Sequence, residues 1–372
     1  MHGLRGDHSQ SAAKGAGVKA FAITRIVDLS TEKRPLEMIE AERTEPSSHE
    51  VLVKVTCCGV CHTELDEIEG RTPPSAFPRI PGHQVVGIVE ETGANVTRFV
   101  AGDRVGIGWI YESCGKCEYC KAGLENLCHE FRGTGRDNDG GYAEYITINE
   151  KYAFALPDVL DDISVAPLLC AGAIGYRALR LTQLKNGQSL GLTGFGASGH
   201  LVLKMVRALF PDSKIYVFAR SSEEQTLAMQ LGATWAGNFE DKQPTLVNAI
   251  IDTTPVWKPA LDSLLHLKPG GRLVINAIRK EDADKTALQK ISYEDHLWME
   301  KEIRSVANIT RKDVEEFISL AARMEIVPEV EVYDFMDANR AIADLRHKHV
   351  KGAKVLVWDS KRRMTNVIVS TD

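Results

Sequence analysis

Residues Ser189-Leu-Gly-Leu-Thr193-Gly194-Phe-Gly196-Ala-Ser198-Gly199 decide how the second half of this chain folds. An apolar run, Ser189 to Thr193, reads as a strand, and the triplet Gly194-x-Gly196-x-x-Gly199 follows it at once. A helical pattern from His200 to Leu209 comes next. Glycines between a strand and a helix permit a tight turn and let a pyrophosphate approach the helix N-terminus. Alone, such a triplet is weak evidence. Its strand and helix flanks give it the weight of a dinucleotide site.

Working outward, strands are expected at Lys214 to Ala219, Val247 to Asp252, Arg272 to Ala277 and Glu302 to Val306, with helices between them. A further helical pattern, Gly175 to Leu184, precedes the first of these units. Strand–helix alternation of this kind builds a parallel sheet covered on both faces. Before about Pro167 the pattern differs. Short β-rich segments such as Glu50 to Cys57, Val85 to Glu91 and Gly141 to Ile148 are split by Gly and Pro. The last stretch, Ala338 to Leu345 and then Ala353 to Trp358, reads as a helix and a strand returning to that β-rich part. The expected class is α/β. A polar tail covers 1–18, a β-rich domain takes 19–172 and 325–372, and a doubly wound parallel-sheet domain takes 173–324.

With 372 residues, 44% hydrophobic and 26% charged, the composition is that of a globular protein with room for two domains. A net charge of -6 argues against a nucleic-acid partner. No apolar run reaches the length of a membrane span, and the first residues lack a signal-like apolar region. No membrane association and a reducing, cytoplasmic setting are therefore expected.

Half of the eight cysteines lie in Cys114-Gly-Lys-Cys117-Glu-Tyr-Cys120, closed by Cys128. Four thiols at this spacing can converge on one tetrahedral ion, the usual form of a structural zinc site. Disulfides fit the reducing setting poorly, and two-residue gaps bridge badly. An iron–sulfur cluster is the remaining alternative, although His129 follows Cys128 where ferredoxin runs usually place a proline.

The end of the second strand bears on cofactor choice. NAD sites usually carry a carboxylate there for the ribose 2′-hydroxyl. Here the text is Phe218-Ala219-Arg220-Ser221, so Ala219 takes that place and Arg220 is available to a 2′-phosphate. Glu223 and Glu224 point the other way, unless they only complement the helix dipole. The loop favours NADP over NAD.

Many motifs in family order resemble the zinc-dependent medium-chain alcohol dehydrogenases. They are Gly59-Val-Cys61-His62-Thr63-Glu64, Pro81-Gly-His83, Gly102-Asp-Arg-Val105, the cysteine lobe over 114–128, Gly140-Gly-Tyr-Ala-Glu144, Leu169-Cys170-Ala-Gly172 and the Gly194 loop. The resemblance covers Lys19 to Trp358. It implies a GroES-like catalytic domain and a Rossmann domain, with two Zn2+ per chain, one catalytic and one structural. Cys61, His83 and Cys170 would be the catalytic metal ligands, and Thr63 would pass the alcohol proton onward. His62 would meet the cofactor pyrophosphate, beside Gly194, Gly196, Ser198, Gly199, Arg220 and Ser221. By analogy a homo-dimer or homo-tetramer is expected.

Where the chain departs from the family pattern matters too. Gln84 stands where relatives usually carry Glu, and Glu64 where they carry the Asp that orients the metal-bound His. Asp66 lies near the place of a His that ends the proton relay, and is assigned to that relay. Trp109 and Ile110 resemble walls of the alcohol channel, and Leu297 and Trp298 are weaker candidates; core packing is the alternative for each. The expected activity is oxidation of small primary alcohols or reduction of their aldehydes with NAD(P). Rival readings are an NADPH-preferring aldehyde reductase, a polyol dehydrogenase, and a nucleotide sensor without turnover.

Overall fold

The computed structural model describes residues 17–241, 245–347 and 352–358. The expected tail lies outside the described residues except for its last two positions, and so does the end of the second β-rich segment beyond Trp358. The chain opens with an antiparallel pair, β1 (Val18–Ala22) and β2 (Glu37–Ala41). A long strand, β3 (Glu50–Val60), leads straight into helix α1 (His62–Ile68). Then come β4 (Val85–Thr92), β5 (Arg104–Ile107) and β6 (Ile110–Glu112). The short helix α2 (Glu118–Lys121) lies in the cysteine lobe, followed by β7 (Arg132–Gly133), β8 (Tyr145–Asn149) and β9 (Ala153–Ala155).

Helices α3 (Asp162–Val165) and α4 (Ala171–Thr182) lead to β10 (Ser189–Thr193), α5 (Ala197–Leu209), β11 (Lys214–Phe218), α6 (Ser222–Gln230) and β12 (Trp235–Gly237). The alternation goes on through β13 (Val247–Asp252), α7 (Trp257–Leu265), β14 (Leu267–Ile275) and β15 (Glu302–Ser305). Last come α8 (Arg311–Met324), β16 (Val330–Asp334), α9 (Ala338–His347) and β17 (Ala353–Val357).

Two large sheets organise these elements. One is six-stranded and wholly parallel, in the order β12-β11-β10-β13-β14-β15. All five residues of β10 are buried, as a central parallel strand covered on both faces requires. The sequence reverses direction between β10 and β13, so the crevice for a nucleotide opens beyond the C-terminal ends of those strands. The other sheet runs β16-β17-β3-β4-β5-β9, with β8 also paired to β3. Strand β17 is antiparallel to β3, Lys354 opposite Val60, which returns the last described strand to this second sheet, built mainly from the first half of the chain.

Several boundaries differ from the sequence pattern for identifiable reasons. Helix α4 begins at Ala171, not Gly175, because the chain turns into it directly from Cys170. Strand β8 begins only at Tyr145. The preceding residues are tied to the 80–82 segment instead, through Gly140 N–H to Ile80 O (2.8 Å), Gly141 N–H to Gly82 O (2.9 Å) and Tyr142 N–H to Pro81 O (3.0 Å). Strand β14 starts at Leu267 although Pro269, Gly270 and Gly271 lie within it. The short β12 was not expected from sequence. It forms because Ala219 N–H donates to Gly237 O and Thr234 N–H to Ile215 O, closing the sheet edge.

Candidate metal and nucleotide site

Cys61, His83 and Cys170 come from three separate places: the N-cap of α1, the residue pair before β4, and the N-cap of α4. Their ligand atoms all lie within 4.8 Å of one another. Nε2 of His83 is 3.2 Å from Cys170 Sγ. The other ring nitrogen, Nδ1, stands 2.9 Å from Glu64 Oε1, and both side chains are buried. Glu64 also accepts the backbone N–H of Cys61 through Oε2 at 2.8 Å, closing a capping box on α1. One carboxylate therefore braces two of the three ligands.

The local fold explains this placement. Gly82 has φ +100, and a Cβ there would sit 2.4 Å from the Tyr142 ring, so glycine lets the chain turn tightly beneath that ring just before His83. The Trp109 ring meets the imidazole edge-on at 4.9 Å from the other side. Thr63 Oγ1 lies 3.6 Å from Cys61 Sγ. His62 is exposed on the first turn of α1.

Charge sharing within the trio is strong. A hydrogen bond from Cys170 does most to hold the Cys61 thiol well below its usual range, with His83 helping against the cost of burial. The same bond, with burial, drives Cys170 well up. Burial alone would lower His83, but Glu64 and Cys61 outweigh it and raise the imidazole. Burial raises Glu64 in turn. Two soft sulfurs and one imidazole whose second nitrogen is taken by a carboxylate are the donor set of a zinc site that keeps an open position.

The four-cysteine lobe forms a second cluster. Cys114, Cys117, Cys120 and Cys128 also lie within 4.8 Å of one another. The Cys114 and Cys128 sulfurs are 3.5 Å apart, a contact and not a bond, and all eight cysteines are free thiols. Backbone N–H groups of Cys117, Cys120 and Cys114 point at the sulfurs of Cys114, Cys117 and Cys128. The N–H groups of Lys116 and Cys117 lower Cys114 to about 6, whereas burial lifts Cys128 to about 11. These donors fit a soft tetrahedral ion with no place left for a substrate.

The Gly194 loop is the candidate nucleotide end. Gly194 has φ +78, and a Cβ there would press on Thr253 Oγ1 at 2.8 Å. A Cβ on Gly196 would meet nothing within 4 Å, so the loop is open where α5 begins, and no side chain caps that helix. Uncapped N–H groups facing open space suit a pyrophosphate. Ser198 Oγ donates to Ala171 O (3.3 Å) and accepts from Asn276 Nδ2 (3.4 Å), which joins the loop to the residue after Cys170. At the end of β11, Ala219 is buried. Arg220 is exposed and makes no hydrogen bond or ion pair among the described residues, while Ser221 Oγ caps α6 by accepting from Glu224 N–H (3.1 Å).

The remaining sequence candidates separate. Asp66 is buried, and its Oδ1 accepts from Arg71 Nε (2.5 Å) and Arg279 Nε (3.1 Å). Gln84 is buried beside His83, packed against Gly59. Ile110 packs into the apolar core, whereas Trp109 touches His83. Trp298 is exposed and meets the Tyr293 ring edge-on. Lys354 is spent on Glu331 and Tyr333. Cys57 and Cys58 are buried on β3.

Two participants escaped the sequence reading. Arg279 has no motif around it. Glu67 is fully buried with neither carboxylate oxygen hydrogen-bonded, and burial followed by the charge of Glu64 raises it well above the usual range. Its i,i+3 spacing from Glu64 was the available signal.

Residues 47–158 match the family model of the alcohol dehydrogenase GroES-like domain. Over 352 residues the chain is 40% identical to a probable alcohol dehydrogenase of Mycobacterium tuberculosis, covering 93% of this chain and 99% of that protein. It is 32% identical to cinnamyl alcohol dehydrogenase 3 of Arabidopsis thaliana, covering 86% and 88%. Among solved structures, CAD from Helicobacter pylori complexed with NADP(H) superposes with a TM-score of 0.81 at 24% identity, covering 92% and 98%.

Proposed function

The chain belongs to the zinc-dependent medium-chain alcohol dehydrogenase family, and we propose that Cys61, His83 and Cys170 are its catalytic metal site. It is an NAD(P)-dependent alcohol dehydrogenase acting on small-molecule alcohols or aldehydes, and this disposes of the sensor reading. The observation that carries the site assignment is the convergence of the three ligands, with Glu64 holding His83 by its second nitrogen.

Zinc held there would supply Lewis acidity, letting an alcohol lose its proton near neutral pH. NAD(P) would supply the hydride acceptor. The chain's own residues do the rest. Glu64 keeps Nε2 of His83 turned inward by engaging Nδ1. Thr63, beside Cys61, takes the alcohol proton at its hydroxyl and passes it outward. Asp66 is the far end of that path, with Oδ2 as its acceptor because Oδ1 is occupied by two arginines. Trp109 walls the channel next to His83 and excludes water, and its apolar face favours a neutral primary alcohol.

Around this site, the Gly194 loop, Ser198 and exposed His62 hold the pyrophosphate, and Arg220 with Ser221 faces the adenosine ribose. Ala219 in place of a carboxylate, beside an uncommitted Arg220, supports NADP over NAD. Cys114, Cys117, Cys120 and Cys128 of the lobe would hold the second zinc. The two sheets support a division into 19–172 with 325–372 and 173–324, as far as the described residues reach. A homo-oligomer is supported by β15, an edge strand with all four residues exposed, near exposed Trp298 and Met299. Free thiols support a cytoplasmic setting, and no single helix among the described residues is long and apolar enough to cross a membrane.

The test is turnover of an alcohol and aldehyde panel with NADP(H) and NAD(H), on chains of known metal content. Turnover of primary alcohols that disappears in Cys61→Ala supports the reading. Unimpaired turnover in that variant sinks it.

A further inference from the structure

The segment after β14 leaves the six-stranded sheet on the same edge as the Gly194 loop, because β10, β13 and β14 are parallel neighbours. Arg279 lies four positions past the end of β14, so it belongs to the nucleotide side of the crevice. Asp66 belongs to the other side, on α1, the helix whose N-cap is Cys61 and whose second residue is Thr63. The two meet at 3.1 Å across 213 residues of sequence. Arg279 is partly exposed and Asp66 is nearly covered.

We propose that Arg279 is a positioning residue whose bond to Asp66 latches the nucleotide-binding edge to the metal-bearing helix α1. Hydride transfer needs the cofactor and the alcohol carbon held within a few tenths of an ångström of a reactive distance. The cofactor rests on the Gly194 loop while Cys61 and Thr63 ride on α1, so any tie between these elements sets that distance. Ser198 to Ala171 ties the crevice near Cys170. Arg279 to Asp66 ties it near Cys61. The latch must also open for the cofactor to leave, so its strength contributes to the release rate.

The same carboxylate oxygen provides an internal control. Arg71 also bonds Asp66 Oδ1, at 2.5 Å, but it lies five residues away on the same side of the crevice. Arg71 also pairs with Glu69, and Arg279 lies 3.6 Å from Glu281, so each arginine keeps a second carboxylate. Both arginines offer Asp66 equal charge, and only one crosses the crevice. If charge balance at Asp66 were all that mattered, removing either would have the same effect.

The experiment measures NADPH and NADH release by stopped-flow fluorescence, and the deuterium isotope effect on alcohol oxidation, in the metal-loaded parent, Arg279→Met, Arg279→Lys and Arg71→Met. Arg279→Met should release cofactor about tenfold faster, on the scale of coupling between contacting charged groups. It should also show a larger isotope effect, as misplacement makes hydride transfer more rate-limiting. Arg279→Lys should recover most of both, and Arg71→Met should stay within about twofold of the parent on that scale. Equal effects of the two Met variants, or none in Arg279→Met, would overturn the latch. Arg279→Gln carries the same comparison if Arg279→Met does not fold. The inference uses the dehydrogenase reading for its isotope effect only. Cofactor release tests the latch without turnover, and a parent that oxidises no alcohol counts against the reading instead.

Discussion

Glu64 and His83 form a buried pair, carboxylate oxygen to Nδ1 at 2.9 Å, and the same carboxylate accepts the Cys61 N–H at 2.8 Å. The usual residue at this place is the shorter Asp. The added methylene lets one side chain close the α1 capping box and orient the imidazole together. Glu64→Gln keeps the length and removes the charge that opposes the imidazole. It should weaken metal binding at the trio by about 10–100-fold. Competition against a chelator, read by metal analysis, should show this while the four-cysteine lobe keeps its ion.

Gln84 leaves the neighbourhood of His83 one negative charge poorer than the family pattern. Metal held by the trio should therefore exchange readily. In Gln84→Glu, release should slow by about tenfold, within the range for groups that support ligands. Isotopic zinc exchange measures it, and an unchanged rate would count against the electrostatic account.

The four-cysteine lobe is docked against the start of α8. Buried Glu125 accepts from the Arg311 backbone N–H (3.0 Å) and Nε (2.9 Å) at the start of α8, and Asn126 Nδ2 donates to Ala307 O (2.7 Å). Cutting this contact should loosen the lobe without touching the trio. Since the Arg311 side chain is over a third exposed, Glu125→Gln should cost about 1–3 kcal/mol, less than a fully buried pair. Thermal unfolding at fixed metal content reads the loss, and the apparent KM for alcohol should not move.

Arg220 stands exposed and uncommitted at the end of β11. Arg220→Ala should weaken NADP binding by about tenfold, the lower end for a charged hydrogen bond, and leave NAD within about twofold. Parallel titrations of both cofactors check this. NAD binding tighter than NADP in the parent would reverse the preference.

The sequence was legible wherever the signal is local. Ser189 to Thr193 and Gly194 to Gly199 announce themselves because a buried parallel strand is continuously apolar and a phosphate turn needs glycine. The lobe cysteines were legible for the same reason, all lying within one short loop. His83 and Cys170 lie 87 residues apart, and only resemblance could pair them. Resemblance singled out Asp66, but Arg279 and its bond to Asp66 were invisible, since single charged residues in separate segments carry no period. The short β12 and the Gly140–Tyr142 contact with the 80–82 segment escaped because backbone bonds to a distant loop leave no pattern in side chains.

The most direct test of the account is zinc per chain, measured by mass spectrometry, in the parent and in Cys61→Ala, each checked for folding by circular dichroism. The account predicts about two zincs falling to about one, with alcohol oxidation lost and the fold kept. A Cys61→Ala chain that keeps the parent's zinc and turnover would contradict it.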